Sequence, residues 1–265
     1  MHPLSAESVV PRLRTQRYGR SLHFLPVTGS TNDDAKAAAL AHAPDGHVVI
    51  ADMQQAGRGS HGRTWTSPQG EDLYFSIVAR PSVAFPELPP LTLAVGLGVA
   101  EAVDDLLGAP TRLPRSQVKW PNDVWVAGKK CAGILVEANA LGSTLDFVVI
   151  GIGLNVNRLS FPDELGHSAT SLRANQPELA VLDRADTLCH VLLSVERWVD
   201  RFTSAGASSV SAALQPRLLL RGQRARCGDV LGIVRGVSPQ GALRMETATG
   251  LQELIAGRLT AADDA

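Results

Sequence analysis

Aromatic residues make up only 5% of this 265-residue chain, too few for the stacking platforms on which single-stranded nucleic acids bind. A charge surplus is missing as well: 25 Lys and Arg against 26 Asp and Glu leave a net charge of −1. Without a basic excess there is no electrostatic footprint of a nucleic-acid binder. Cysteine is scarce. Cys131, Cys189 and Cys227 stand far apart, outside any Cys-x-x-Cys or Cys/His ligand spacing, which argues against zinc and for a reducing compartment. No run of about 18 apolar residues occurs, and the first residues lack a charged start followed by an apolar core. The expectation is a soluble cytoplasmic protein with neither a membrane nor a nucleic acid as partner.

Glycine, by contrast, is concentrated where it carries chemistry. Gln54-Gln55-Ala56-Gly57-Arg58-Gly59-Ser60-His61-Gly62-Arg63 sets two guanidinium groups among three glycines. Glycines let the backbone approach an anion closely, and arginines add planar donors that match carboxylate or phosphate oxygens. The spacing Gly57, Gly59, Gly62 also satisfies the dinucleotide fingerprint G-x-G-x-x-G. That fingerprint requires a helix opening at the last glycine and an acid about 20 residues on. Here Thr64-Trp65-Thr66-Ser67-Pro68-Gln69-Gly70 comes next, which is turn chemistry leading into an apolar run. The segment therefore reads as an anion-binding loop between two strands.

The length allows one large domain and a small appendage. After a short polar lead, residues 22–26 read as a strand. Ser30 then caps an alanine-rich helix to about His42, with Asp33 placed as in a capping box. Strands at 48–51 and 73–79 flank the glycine loop. A proline-dense linker, 81–90, precedes an apolar segment, 91–107, too long for a strand and so a buried helix that stops at Gly108 and Pro110. Short strands at 117–120, 124–126, 133–138 and 146–152 form a meander with turns at 121–123, 127–128 and 141–143. From Asp183 to Phe202 apolar residues recur at three and four, an amphipathic helix, and a shorter helix covers 208–214. Beyond Leu220 the pattern changes to short β runs at 223–227, 230–237, 242–246 and 251–259, a small barrel. The division is thus 1–217 and 218–265.

Three further segments stand out. Val118-Lys119-Trp120-Pro121-Asn122-Asp123 puts a lysine at a strand end and an amide and an acid in the turn. Gly128-Lys129-Lys130-Cys131-Ala132-Gly133 places a lysine before a buried strand. Gly151-Ile152-Gly153-Leu154-Asn155 ends an apolar strand with small residues and an amide. Each also has a plainer reading: Ser30 as a helix cap, Lys130 as a solvated hairpin lysine, Asn122-Asp123 as a turn pair, the glycines as packing residues, His61 as a solvent-exposed loop residue. Glu101, Asp104 and Asp105 read as the wet edge of a helix.

Taken together, Gly29-Ser30-Thr31-Asn32, the glycine loop, Lys119 to Asp123, Lys130 to Leu135 and Gly151 to Asn155 have the order and spacing of the biotin–protein ligases, a family that this chain resembles. Ser67-Pro68-x-Gly-x-x-Leu73-Tyr74 and Ala169-Thr170-Ser171-Leu172 fit the same family. The resemblance covers roughly residues 22–175. It implies an α/β fold with a mixed central sheet and flanking helices, a catalytic domain like that of class II synthetases, followed by a small SH3-like β-barrel. It also implies two half-reactions. The carboxylate of biotin attacks the α-phosphate of ATP to give biotinyl-5′-adenylate and pyrophosphate; a lysine of a biotin carboxyl carrier domain then takes the biotinyl group.

By the same resemblance, Ser30, Thr31, Asn32 and Gln54 bind the ureido ring. Gly57, Arg58 and Gly59 wrap the biotin carboxylate and α-phosphate, with Ser60, Arg63 and Lys119 beside them. Lys130 stabilises the transition state, helped by Arg58. Gly133, Gly151 and Gly153 leave room for the ring and nucleotide, and Asn155 meets adenine. Asp123 orients the cations or a Mg2+ ion carried in on ATP, and no metal site belongs to the chain with certainty. A weak homodimer through the exposed sheet is expected. Two features depart from many members: about twenty residues precede the first matching strand, which suggests the monofunctional type without an N-terminal DNA-binding domain, and Ser60 stands where arginine is common. The competing readings are a lipoate or octanoate ligase of the same fold, and a regulator that binds biotin without catalysis. The Gly-Arg-Gly-x-x-Gly-Arg and Lys-Trp-Pro-Asn-Asp segments favour biotin, and the set of phosphate-facing cations favours catalysis.

Overall fold

The computed structural model describes residues 4–108, 116–142, 144–176 and 180–262, with the side chain of His61 outside that description. In chain order the helices are α1 (Ala6–Val9), α2 (Thr31–Leu40), α3 (Leu91–Leu106), α4 (Asp163–Gly166), α5 (Leu172–Asn175), α6 (Arg184–Ala205) and α7 (Ala207–Leu214). The strands are β1 (Leu22–Thr28), β2 (Val48–Gln54), β3 (Leu73–Ala79), β4 (Ser116–Lys119), β5 (Asp123–Val126), β6 (Lys129–Leu141), β7 (Thr144–Leu154), β8 (Arg224–Cys227), β9 (Val230–Val237), β10 (Leu243–Thr247), β11 (Gly250–Leu254) and β12 (Leu259–Ala261).

The first seven strands form one sheet in the order β1-β2-β3-β7-β6-β5-β4. β1 and β2 run parallel and every other pair is antiparallel, so the sheet is mixed and the meander from β4 to β7 forms as expected. Its two faces are covered unequally. Phe75, Ile77, Ile134, Ile150 and Ile152 join α3 and α6 in the main core. α3 carries no Cβ at Gly98, where one would lie 2.8 Å from Val195 Cα of α6; only glycine admits so close a crossing. On the other face Ala35 and Ala39 of α2 cover Val49, Val78, Phe147 and Val149. α2 covers only that part of the face, and the remainder forms a cleft.

Several expectations are corrected. The lead before β1 is not merely polar: Ser5 and Ser8 make a capping box that starts α1, which buries Val9. β6 and β7 run longer than their apolar cores, because ladder pairing continues past the point where side chains become exposed. Their turn at 141–143 is described only as far as Gly142. Asp104 is no wet helix edge: it is 7% exposed, accepts from the Ser116 backbone N–H at 2.9 Å and pairs with Arg217 at 2.6 Å. The run 251–259 is two strands, β11 and β12, interrupted where Gly257 (φ 141°) passes so close to Cys227 that a Cβ would lie 2.5 Å from its Sγ. Strands β8 to β12 form a second, antiparallel sheet in the order β11-β10-β9-β8-β12. It meets the first where Trp120 Nε1 donates to Gly241 O at 2.9 Å. Among the described residues no helix is long and apolar enough to cross a membrane.

Candidate active site

The floor of the cleft arises from the two-residue period of β-strands. Gly133 pairs with Gly153, and Gly153 with Tyr74; one step along, Leu135, Gly151 and Ser76 align in the same way. Positions two apart share a face, so these residues and Glu137 lie on the side that α2 only partly covers. Added Cβ atoms would lie 2.0 Å from Asn32 Oδ1 at Gly151, 2.4 Å from Trp65 Cε2 at Gly153 and 2.8 Å from Trp65 Cζ3 at Gly133. Space, rather than backbone freedom, requires glycine at all three.

The polar end is built by the start of α2. Ser30 is the N-cap, yet its side chain makes no capping bond. The Asp33 backbone N–H donates to Ser30 O at 3.0 Å instead, and the Asp33 carboxylate, the other half of the expected capping box, pairs with Arg58 at 2.7 Å. Ser30, only 4% exposed, lines the cleft. Thr31 donates to Gln54 Oε1 through its backbone N–H (2.9 Å) and its hydroxyl (3.1 Å), and Gln54 Nε2 donates to Ser67 Oγ at 3.0 Å. Asn32 Oδ1 accepts from Ser76 Oγ at 2.6 Å, while its Nδ2 donates to Glu137 Oε2 at 2.6 Å.

The glycine loop folds back on itself as a narrow ribbon. Gly59 N donates to Arg63 O at 2.7 Å and Trp65 N to Gly57 O at 2.8 Å, and a Cβ on Gly57 would lie 2.5 Å from Trp65 O. Gly59 has only ordinary contacts, the nearest at 3.5 Å. The ribbon lays the Trp65 indole over Gly133 and Gly153, with its buried N–H lacking a hydrogen-bond partner among the described residues. Arg58 is tied to Asp33 and Glu137, and Arg63 turns back to donate to Ser60 O at 3.2 Å and Ser60 Oγ at 2.9 Å. Each of the two loop arginines thus already has an acceptor.

Lys130 lies between two cavities. Beside it β6 carries a β-bulge, a device that re-aims a side chain, with Cys131 as the extra residue, since Val124 pairs with Ala132 and Trp125 with Lys130. The Lys130 Nζ pairs with Asp123 at 2.6 Å and sits 5.1 Å from the Trp65 ring centroid. The smaller cavity is the glycine-floored cleft with Ser30, Thr31, Asn32 and Gln54; the larger is lined by Lys119, Trp125, Asn155, Arg158 and, from the connection between β11 and β12, Arg258. Gly59, Ser60, Trp65, Asn122 and Lys130 line both. Lys119 stacks 4.2 Å over the Trp125 ring. Asn155, 4% exposed, donates through Nδ2 to Thr170 O at 2.8 Å. Of the residues anticipated for the site, all but Gly57 line one or both of these cavities, and Gly57 is packed against the Trp65 carbonyl.

Sequence reasoning passed over others. Trp65 comes after the loop as a lone aromatic with no pattern to mark it, whereas the alternation Gly133, Leu135, Glu137 could have placed Glu137 on the cleft face. Asp72, fully buried, accepts from the Val156 backbone N–H at 2.7 Å and pairs with Arg158 at 2.6 Å. Arg158 also donates to Thr66 O at 3.1 Å, so one buried pair joins the loop's exit to the end of β7. Burial, followed by the Asp72 carboxylate, pushes the Tyr74 hydroxyl up and keeps it a neutral donor. Burial likewise raises the three free thiols, Cys189 to about 11, away from the thiolate form that acts as a nucleophile. Among the described residues no group of three or more His, Cys, Asp or Glu could hold a metal ion.

A mixed sheet with a glycine floor, two joined cavities and a lysine between them defines a class that the comparisons identify. Residues 24–155 match the Biotin/lipoate A/B protein ligase family. A biotin--[acetyl-CoA-carboxylase] ligase of Mycobacterium tuberculosis is 36% identical over 234 residues, covering 86% of this chain and 84% of that protein. The bifunctional ligase/repressor BirA of Bacillus subtilis is 34% identical over 257 residues, 95% of this chain and 77% of its own length. A biotin protein ligase from Aquifex aeolicus, solved in complex with biotin and ATP, superposes with a TM-score of 0.78 at 30% identity, over 91% of this chain and 98% of that one. The chain belongs to the biotin protein ligase family.

Proposed function

We propose that this chain joins biotin to a protein lysine at the expense of ATP. A carboxylate oxygen of biotin attacks the α-phosphorus, the bond to pyrophosphate breaks, and biotinyl-5′-adenylate results. The acceptor lysine then attacks the biotinyl carbonyl, AMP leaves, and the amine loses a proton. The single observation that carries this reading is the position of Lys130 at the junction of the two cavities: an acid in one and a nucleotide in the other would meet at its ammonium group. Preorganised charge at the point where oxyanions develop is the main resource such chemistry needs.

In this reading Ser30, Thr31, Asn32 and Gln54 address the ureido ring, and Gly133, Gly151 and Gly153 leave room for the bicycle once the Trp65 indole, which lies directly on Gly133 and Gly153, moves off them. Arg58 with the Gly57 and Gly59 amides takes the carboxylate, while Ser60, Arg63, Lys119 and Asn155 face the nucleotide. Asp123 holds Lys130 in place. The donor set of the described residues does not form a metal cage, so Mg2+ fits only as a companion of the ATP phosphates, and no step is assigned to it. Residues 1–217 would form the catalytic unit and 218–265 the small barrel, a division supported by the separate second sheet. The acceptor would be a biotin carboxyl carrier domain and the compartment the cytoplasm. A weak homodimer fits the open edge of β1, and sedimentation showing monomer at every concentration would remove it.

The test incubates the purified chain with ATP and a purified acceptor domain, with biotin or lipoate in parallel. Biotin-dependent pyrophosphate release and a labelled acceptor lysine are expected. Transfer of lipoate instead would move the chain to the other branch of the family, and biotin binding without transfer would make it a regulator.

A further inference from the structure

We propose that Glu137 is a positioning residue, holding Arg58 so that the free edge of its guanidinium meets the biotin carboxylate; the inference rests on the biotin ligase reading above. Glu137 stands on β6 two residues beyond Leu135, on the cleft face and outside the floor itself. It joins both ends of the biotin site at once. Its Oε2 accepts from Asn32 Nδ2 at 2.6 Å and lies 3.1 Å from Arg58 Nη2.

The order in which these contacts are fixed gives them their effect. Ser76, fully buried, donates to Asn32 Oδ1. The amide is thereby oriented with its Nδ2 outward, and that Nδ2 in turn fixes Glu137. Asp33 at 2.7 Å meets the same Arg58 nitrogen from α2. An exposed ion pair between two free side chains contributes little, because both must be ordered to form it. Here one partner is ordered already, by a bond to a buried residue. Only Nη2 of Arg58 is engaged by the described residues. Because a guanidinium is planar and rigid, pinning one nitrogen aims the others, and the Nε and Nη1 donors are left for an anion. The same carboxylate ties the ureido-facing Asn32 to the carboxylate-facing Arg58, so the separation of the two recognition points is set by one side chain.

The experiment measures binding of biotin and of biotinol, in which a hydroxyl replaces the carboxylate, to the full chain by calorimetry. Glu137→Ala is expected to weaken biotin about tenfold, as for loss of one charge-assisted contact, and to change biotinol less than about twofold. Glu137→Gln keeps an acceptor for Asn32 and is expected to show the same preference at smaller size, so it serves if the alanine variant does not fold. In an Arg58→Ala background, Glu137→Ala is expected to have no further effect on biotin, since coupled residues are non-additive. Equal losses for both ligands would make Glu137 merely structural and overturn the inference, as would tighter biotin binding by either variant. A wild-type chain that binds neither ligand would overturn the biotin reading itself, which the other two results leave standing.

Discussion

Replacing Lys130 by alanine separates what this residue does for the reaction from what it does for the fold. Its Nζ lies 2.6 Å from Asp123, with the lysine side chain 25% and the aspartate 14% exposed. Exposed pairs contribute at most about 1 kcal/mol, and breaking a fully buried one costs about 3–5 kcal/mol. A pair between these limits is expected to cost about 2 kcal/mol, a fall in Tm of roughly 4–8 °C for a chain of this size. The loss in rate is larger. Removing one preorganised donor to a developing oxyanion commonly costs about 10²–10³-fold, or about 2.7–4 kcal/mol in the transition state. Lys130→Ala is therefore expected to retain its fold and to lose biotin-dependent pyrophosphate release by at least two orders of magnitude. Adding Asp123→Asn removes the stranded carboxylate and is expected to recover Tm, leaving the rate low. Both are read by thermal unfolding and single-turnover pyrophosphate release. A single mutant that releases pyrophosphate within a few-fold of wild type, or a double mutant that recovers the rate along with Tm, would refute the assignment.

Gly153→Ala puts a methyl group 2.4 Å from Trp65 Cε2; overpacking of this kind costs about 1–3 kcal/mol, so the KM for biotin is expected to rise about tenfold, and an unchanged KM would show that the indole moves away freely. The ribbon 54–66 is expected to gain amide-exchange protection when biotin binds, because an anion at Arg58 and contact of the bicycle with Trp65 both favour its docked form; equal protection with and without biotin would contradict this. At Ser60, whose hydroxyl accepts from Arg63, substitution by arginine adds a two-pronged anion donor. Adenylate trapped on Ser60→Arg is expected to dissociate more slowly than from wild type and to label fewer bystander lysines; an unchanged off-rate would show that another group already holds it.

The local chemistry was legible along the chain. The strand–loop–strand frame around Gly57 to Arg63, the buried α3, the amphipathic α6 and the change to short β runs after Leu220 all come from periodicity and turn residues, which act between neighbours in sequence. The glycine loop could be told from a dinucleotide fingerprint for the same reason: turn residues and a strand, not a helix, come after Arg63.

Relations across the sheet were not legible, because they depend on register. Nothing in the sequence aligns Gly133 with Gly153, or Ser76 with Gly151; pairing of β3, β7 and β6 does, and with it comes a floor deep enough for Trp65. Asp33 illustrates the same limit. Its spacing from Ser30 satisfies a capping box, but tertiary packing brings Arg58 within 2.7 Å of its carboxylate. Asp104 looked solvated until Arg217, 113 residues away, was placed against it. The sequence alone determined which residue types are available and on which local elements they stand. The tertiary structure alone decided which of them face one another, since contact energies fall off over a few ångströms and separation along the chain says nothing about that distance.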